Sequence, residues 1–200
     1  MPISFLLRQN IVNSPKDKMS ENREHMLVVD LEATCWRGHP PKGMKHEIIE
    51  IGLVVLDNIT HQIIEKDSLI IKPEYSVVSP FCTELTTLTQ EFVDENGISL
   101  SEACEIMKEK YRSHKRIWGS WGDYDRNQFE KDCKTKGVKY PFSGHHYNLK
   151  PLFSFAMGIN RELGVSSALE YMNMPFEGTQ HRGVDDAVNI GKLVEKMFNK

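Results

Sequence analysis

The sequence predicts an α/β protein in which helices cover a mixed sheet. Two observations favour this fold class. The first half of the chain contains three short runs rich in valine, leucine and isoleucine, which are typical of buried strands. The second half contains longer amphipathic segments, typical of helices, around one further apolar run that indicates a central strand.

The strands are predicted in chain order. Residues 27–32 form the first, because Leu27 to Val29 are continuously apolar, and HEIIEIGLVVLD (46–57) forms the second. A turn at Asn58 to Thr60 follows, and the run that ends in SLIIKP forms the third strand, so we expect hairpin connections. RIWGSW (116–121) predicts a fourth strand, with Asp125 following its C-terminal end.

Capping residues and helical spacing predict the helices. Ser79 and Thr89 are plausible N-caps of short helices in SPFCTELTTLTQEFVDEN, and SLSEACEIMKEKYRSH is typical of an amphipathic helix. Further helices are expected at 125–136, 149–157 and 165–173. The last helix has an apolar face formed by Val184, Ala187, Val188, Gly191 and Val194.

A chain of 200 residues that is 40% hydrophobic supports one well-packed domain. Residues 1–25 are expected to be an N-terminal extension or linker, because residues 13–25 are polar and charged, with the folded domain at 26–200. The apolar core Phe5 to Leu7 is too short for a signal peptide or a membrane span. The four cysteines lack C-x-x-C spacing, which favours reduced thiols. We therefore expect a cytoplasmic protein without membrane contact.

The net charge of −3 conceals an uneven distribution. Between Lys108 and Lys150 there are eleven lysines and arginines and five acids, a net charge of +6, so the rest of the chain carries −9. Basic residues suit contacts with a phosphate backbone, and acids suit metal ions. The pattern is compatible with an enzyme that acts on nucleic acid, while an ordinary solvated helix face explains any single lysine equally well.

Four carboxylates and one histidine lie in motifs far apart in the chain: Asp30 and Glu32 in VVDLEAT, Asp125 in WGDYD, and His181 and Asp186 in HRGVDDA. Asp30 and Glu32 face the same side of a strand. Two acids about 4 Å apart repel by roughly 4 kcal/mol at an effective dielectric constant of about 20, which favours a bound cation or a shared proton. Oxygen ligands suit hard ions, so we expect magnesium or manganese rather than zinc.

These motifs, in the order D-x-E, Asp and H-x4-D, resemble the DEDDh 3′-5′ exonucleases of the ribonuclease H-like superfamily. The stretches DLEATCW, HEIIEIGLVVLD, KPEYSVVSPFCTELTTLTQ, WGDYD and HRGVDDA are similar to the 3′ histone mRNA exonuclease-like branch of exoribonucleases. The resemblance covers about residues 26–198. It implies a mixed five-stranded sheet flanked by helices on both faces, and an exonuclease domain at 26–200.

The resemblance also implies hydrolysis with two Mg²⁺ ions, for which Mn²⁺ can substitute. Asp30 is expected to bridge both ions, Glu32 and Asp186 to hold the ion that binds the attacking water, and Asp125 to support the other. His181 is the implied general base, because an unperturbed imidazole titrates near about 6.5 and is mostly neutral at pH 7. The expected product is a nucleoside 5′-monophosphate.

The residues alone leave the partner of His181 open. Asp185 lies four residues from His181 and would share its face of a helix, whereas Asp186 would do so less well. The H-x4-D spacing of the family selects Asp186, which implies that His181 lies on a mobile loop just before the helix. Asp185 is then a surface or capping acid.

The resemblance assigns substrate binding to Thr34, Phe81 and Tyr124. Phe81 and Tyr124 match two aromatic residues that sandwich the terminal base, and Tyr124 replaces a tryptophan of the relatives. Stacking of a base on an aromatic ring contributes about 1 to 3 kcal/mol. Thr34 matches a position that touches the terminal sugar. A core role for Phe81 stays open, and His145 and His146 are unassigned.

The sequence therefore predicts a metal-dependent 3′-5′ exonuclease that prefers single-stranded RNA 3′ ends. One alternative is a DNA exonuclease of repair or proofreading type, because no residue indicates a contact with the 2′-hydroxyl. The other is a non-catalytic RNA-binding regulator on the same fold. That alternative is disfavoured because all five polar residues of the motifs are present.

Overall fold

The structure is a computed structural model that describes residues 24–198, and the two ends of the chain, 1–23 and 199–200, lie outside the described residues. Most of the predicted N-terminal extension therefore cannot be compared with it. Five strands form one sheet in the order β3-β2-β1-β4-β5. Their bounds are β1 His25–Ala33, β2 Ile48–Asp57, β3 Ile63–Ile70, β4 Ile117–Ser120 and β5 His146–Asn148.

The sheet is mixed, which confirms the predicted fold class. Strand β2 pairs antiparallel with β1 and β3, whereas β4 runs parallel to β1 and β5. Seven helices lie within residues 24–198. They are α1 Pro80–Thr86, α2 Gln90–Asn96, α3 Leu100–Glu109, α4 Tyr124–Lys136, α5 Leu149–Met157, α6 Val165–Tyr171 and α7 Gly183–Phe198.

Helices cover both faces of the sheet because the side chains of β1 alternate. Leu27, Val29 and Leu31 pack with α3 and α4 in one core cluster. Met26 and Val28 pack with α5 and α7 in another. Even-numbered residues of β1 therefore face α7, and Asp30 and Glu32 belong to this series. The alternation directs both acids to the face on which α7 lies.

Helix α7 approaches the sheet backbone unusually closely. Gly52 on β2 lies against Gly183 at the start of α7, and a Cβ atom built on Gly183 would come within 3.0 Å of both the carbonyl oxygen of Asp30 and the amide nitrogen of Gly52. Farther along, Ala187, Ile190 and Val194 bury the predicted apolar face of α7 against β1 and β2. The close approach places the first turn of α7 beside Asp30.

The predicted helix caps and the predicted turn at residues 58–60 are confirmed. The hydroxyl groups of Ser79 and Thr89 accept hydrogen bonds from the amides of Cys82 and Phe92, as N-caps do. The carboxylate of Asp57 accepts hydrogen bonds from two amides of the predicted turn, those of residues 59 and 60. All four cysteines are free. No helix within residues 24–198 combines the length and the apolar character needed to cross a membrane.

Other predictions were wrong in detail. The fourth strand is shorter than predicted and ends at Ser120, although Asp125 follows it as predicted, in the first turn of α4 after Gly122 turns the chain with a φ of 117°. The predicted hairpin connection of β1 and β2 is confirmed by their antiparallel pairing, with a long loop over residues 34–47 between them. The predicted helix at 99–114 ends at Glu109, and Arg112 follows with a left-handed φ of 52°. Strand β5 has only three residues and no apolar run, so pattern alone did not predict it.

Candidate active site

Three carboxylates from two elements meet at one end of β1. One carboxylate oxygen each from Asp30, Glu32 and Asp186 lie within 4.8 Å of one another, and we call these residues the acid cluster. Asp30 and Glu32 come from β1, and Asp186 comes from the first turn of α7. The docking of α7 on β1 and β2 thus brings together acids that are more than 150 residues apart in the chain.

Asp125 lies directly beside the acid cluster. Its Oδ1 atom accepts a hydrogen bond of 3.0 Å from the amide of Leu31, the residue between Asp30 and Glu32. The side chain of Asp125 is buried. The structure therefore brings all four predicted acids to one place, with three in the tight cluster and the fourth held against the backbone of β1.

His181 lies on the loop immediately before α7, as the family spacing implied. Its side chain is exposed, and its φ of 61° falls in the left-handed region that few residues other than glycine adopt. The amide of His181 donates a 2.8 Å hydrogen bond to Oδ2 of Asp186. Asp185 instead accepts a 2.8 Å hydrogen bond from the amide of Thr179, so it holds the loop and lies outside the acid cluster.

The electrostatics of the cluster favour protonation. Burial, together with repulsion from Asp186 and other neighbouring acids, raises the pKa of Glu32 to about 8. Burial and the surrounding carboxylates hold the pKa of Asp30 well above its usual range. Burial also raises the pKa of Asp125 and of Asp186 to about 6 each, although hydrogen bonds from backbone amides oppose the rise. Without a cation, Glu32 therefore stays largely protonated at neutral pH.

The donor set fits a divalent cation. All the donors are carboxylate oxygens, which suit a hard ion such as Mg²⁺. The positive charge of such an ion would also relieve the repulsion between the carboxylates. A bound cation would lower the pKa of every carboxyl group in the acid cluster, and the cluster offers one oxygen from each of three side chains at compatible separations. The residues present therefore suit metal binding.

This arrangement predicts how stability depends on pH without metal. The carboxyl groups of an unfolded chain titrate near about 4, whereas the folded-state pKa of Glu32 is about 8. Between these values the folded protein holds more protons than the unfolded chain, so its stability falls as the pH rises. In EDTA, we expect the melting temperature to fall between about pH 5 and pH 8, and Mg²⁺ to raise it most at the higher pH.

Thermal denaturation with and without Mg²⁺ measures this effect. The Asp30→Asn variant serves as the control, because it removes one charge from the acid cluster and should show a weaker pH dependence. A melting temperature in EDTA that rises steadily over the same pH range would contradict the repulsion described here.

A cavity of about 430 Å³ opens onto the acids. His181 and all four predicted acids line it, together with Trp121, Tyr124 and the N-terminal end of α6. Tyr124 is 55% exposed, so its ring has free surface at this cavity. The indole N–H of Trp121 donates a 2.8 Å hydrogen bond to the carbonyl of Leu163, and its ring packs on Phe153. Trp121 is thus a packing residue that also forms part of the cavity wall.

The other two predicted substrate residues do not line this cavity. Thr34 is fully buried, and its hydroxyl donates to the carbonyl of Lys45 and accepts from the amide of Glu47. Phe81 is partly buried at the start of α1, where the guanidinium of Arg37 lies 5.2 Å from the ring centre. The roles of Thr34 and Phe81 in substrate binding stay predictions.

Sequence reasoning passed over Glu50 and Gln180. Glu50 is fully buried on β2, directly opposite Glu32 in the strand register. The available signal was a charged residue in the middle of the apolar run IIEIGLVV. Gln180 lines the cavity and donates a 2.9 Å hydrogen bond to the hydroxyl of Ser166 on α6. Nothing in its sequence context distinguishes it from an ordinary loop residue.

Comparison with known protein families connects this geometry to an enzyme class. The model of the exonuclease family RNase_T matches residues 27–194. The chain belongs to this exonuclease family. Exonucleases of the DEDDh type are metal-dependent, in agreement with the acid cluster at the end of β1.

Similar curated proteins carry exonuclease names. Human 3′-5′ exoribonuclease 1 is 30% identical over 207 residues, a match that covers 98% of this chain and 58% of the human protein. The Drosophila melanogaster 3′-5′ exonuclease Snipper is 31% identical over 195 residues, with 86% of this chain and 69% of that protein covered. This chain therefore spans less than two thirds of the length of the human relative.

Solved structures confirm the fold and the family branch. The nuclease domain of 3′hExo, a DEDDh family member bound to rAMP, matches with a TM-score of 0.78 and 28% identity, over 90% of this chain and 94% of that one. A 3′-exonuclease that recognises the 3′ end of the histone mRNA stem-loop matches with a TM-score of 0.76 and 27% identity, over 90% and 84% of the two chains. The predicted resemblance to DEDDh exonucleases is confirmed.

Proposed function

We propose that this chain is a metal-dependent 3′-5′ exoribonuclease that releases nucleoside 5′-monophosphates from single-stranded RNA ends. The observation that carries the proposal is the acid cluster of Asp30, Glu32 and Asp186, with Asp125 and His181 beside it in one cavity. Buried carboxylates with raised pKa values are unfavourable for folding unless they serve a cation. Membership of an exonuclease family supplies the reaction class.

Four side chains would hold two Mg²⁺ ions, for which Mn²⁺ can substitute. We assign Asp30 to both ions, Glu32 and Asp186 to one, and Asp125 to the other. When bound, such ions activate a water molecule at neutral pH and neutralise charge on the leaving oxygen. The hydrogen bond from the Leu31 amide fixes the orientation of the Asp125 carboxylate, so this ligand needs no rearrangement.

His181 is the proposed general base. Its imidazole is exposed on the wall of the cavity, and the bond from its backbone amide to Asp186 ties its position to the acid cluster. From there it can accept the proton of the attacking water. General-base assistance of this kind typically contributes roughly 10² to 10⁴ in rate.

The exposed ring of Tyr124 is proposed to stack on the terminal base, because it adjoins Asp125 and has free surface at the cavity. The choice of RNA is supported by relatives that are named exoribonucleases and by neighbours solved with rAMP or with a histone mRNA stem-loop. The basic segment between Lys108 and Lys150, with its net charge of +6, suits the phosphate backbone.

Digestion of matched RNA and DNA oligonucleotides tests this proposal. With a 5′ label and Mg²⁺, we expect a ladder that shortens from the 3′ end, with nucleoside 5′-monophosphates as the product, and no shortening in EDTA. RNA should be degraded at least about tenfold faster than DNA of the same sequence, since an RNA-specific site recognises the 2′-hydroxyl.

Each alternative has its own outcome in this assay. Equal or faster digestion of DNA would replace the RNA preference with a DNA exonuclease. Binding of RNA without any EDTA-sensitive shortening would instead identify a non-catalytic regulator. Release of oligonucleotides from the interior of the strand would contradict the assigned 3′-5′ polarity.

A further inference from the structure

Glu50 is a buried charge at the back of the candidate active site. It lies near the start of β2 with 0% exposure, opposite Glu32 in the antiparallel register. Its negative charge contributes to the raised pKa of both Asp30 and Glu32, so it adds to the repulsion within the acid cluster. A buried carboxylate in such a place is costly unless it is paired and hydrogen-bonded.

Three donors satisfy the Glu50 carboxylate. Oε1 accepts a 2.6 Å hydrogen bond from the hydroxyl of Ser68 on the neighbouring strand β3. Oε2 accepts bonds of 3.1 Å from Nε of Arg182 and 3.1 Å from the amide of Gly183. The guanidinium of Arg182 also supplies the opposite charge. One oxygen is thus anchored to the sheet, and the other holds Arg182 on the loop before α7 and Gly183, the first residue of α7.

Those two residues directly follow His181. The loop is also held from its other side, where Gln180 bonds to Ser166 and Thr179 bonds to Asp185. The contact with Glu50 differs from these because it joins the loop to the interior of the sheet, from which Asp30 and Glu32 project. It therefore ties His181 to the same rigid frame as the acids.

The position of α7 itself has separate support. Gly52 and Gly183 allow the helix to lie on the sheet, and Ala187 and Ile190 are buried against it. Asp186, which lies on the helix, is held by this packing. His181 lies outside the helix, where the bond from its amide to Asp186 and the contacts of the loop hold it. The bonds of Glu50 therefore matter most for His181.

We propose that Glu50 is a positioning residue: through Arg182 and Gly183 it holds the loop that places the His181 imidazole beside the acid cluster. The inference rests on the proposed function, since His181 is the general base there. Its physical basis is that a displacement of about 1 Å at a reacting group can reduce the rate about 10²-fold. Glu50 makes no contact with substrate in this scheme and acts only through the loop.

The Glu50→Ala variant removes the carboxylate and leaves Arg182 without its partner. We expect kcat for RNA digestion to fall about 10²-fold, with KM changed less than about threefold, because loop position affects the chemical step. Glu50→Gln keeps an acceptor for Arg182 and Gly183 and can donate to Ser68, so it should recover kcat to within about fivefold of the wild type. Glu65→Ala, at an exposed glutamate of β3, is the matched control and should leave kcat unchanged.

A double-variant cycle separates positioning from a general structural effect. In a His181→Ala background, Glu50→Ala should cost less than about threefold in kcat, because the group that it positions is gone. Calorimetric titration of the Glu50→Ala protein gives the Mn²⁺ concentration that saturates it, and the loss of kcat should persist at that concentration, since Asp186 stays in place. Should Glu50→Ala fail to fold, Arg182→Met tests the same link from the loop side, with an expected loss of about tenfold.

Three results would overturn the inference. The first is an unchanged kcat in Glu50→Ala, and the second is the same relative decrease in kcat with and without His181. The third is a decrease in kcat that is explained by weakened Mn²⁺ binding. In each case the wild-type protein would still digest RNA, so the proposed function would stand. Failure of the proposed function is distinct, because the wild-type chain itself would then show no EDTA-sensitive shortening.

Discussion

The Asp30→Asn variant should digest RNA more than about 10³-fold more slowly than the wild type, and it should be more stable to heat in EDTA at about pH 8. Asp30 is the acid assigned to both ions, so a neutral amide in its place removes the ligand that the two sites share. The same carboxylate is the one whose pKa the surroundings hold well above its usual range. Its neutralisation relieves repulsion that the metal-free fold otherwise carries.

Initial rates with labelled RNA and melting curves in EDTA measure the two halves of this result. Asp123→Asn is the matched control, because Asp123 is exposed, lies outside the acid cluster and pairs with Arg126. This variant should keep an initial rate and a melting temperature close to those of the wild type. An Asp30→Asn protein with normal digestion would refute the shared-ligand role, and one with a lower melting temperature in EDTA would refute the repulsion.

The Gly52→Ala variant should lose at least about 3 kcal/mol of unfolding free energy and, with it, the activity. A Cβ atom on Gly52 would overlap the backbone carbonyl of Gly183 and the amide nitrogen of Val184. Backbone atoms at a helix start cannot move aside as a flexible side chain can, so α7 must shift away from the sheet. Asp186 would leave the acid cluster with it.

For a domain of this size, a loss of that magnitude lowers the melting temperature by roughly 6 to 12 °C. Gly144→Ala is the appropriate comparison, since a Cβ atom there meets nothing within 4 Å. It should melt within about 2 °C of the wild type. If Gly52→Ala also melted within about 2 °C of the wild type, the tight contact between α7 and β2 would not be needed for the stability of the folded protein.

Local sequence patterns predicted most helices and strands, because capping and side-chain alternation depend on residues that are close together in the chain. Ser79 and Thr89 cap the helices that follow them, and the alternation of β1 directs Asp30 and Glu32 to one face. Strand β5 was missed because its three residues are defined by pairing with β4 rather than by their own hydrophobicity.

The five motif residues were recognisable in the sequence because their types and spacing carry the chemistry of a hydrolytic metal site. Which of them share a cation-sized space was decided only by the fold, because the docking of α7 on Gly52 sets the distance from Asp186 to β1. The same holds for Glu50, whose partners Ser68, Arg182 and Gly183 lie far away along the chain. A buried charge reveals its role through the groups that surround it, and those groups are assembled only by tertiary contacts.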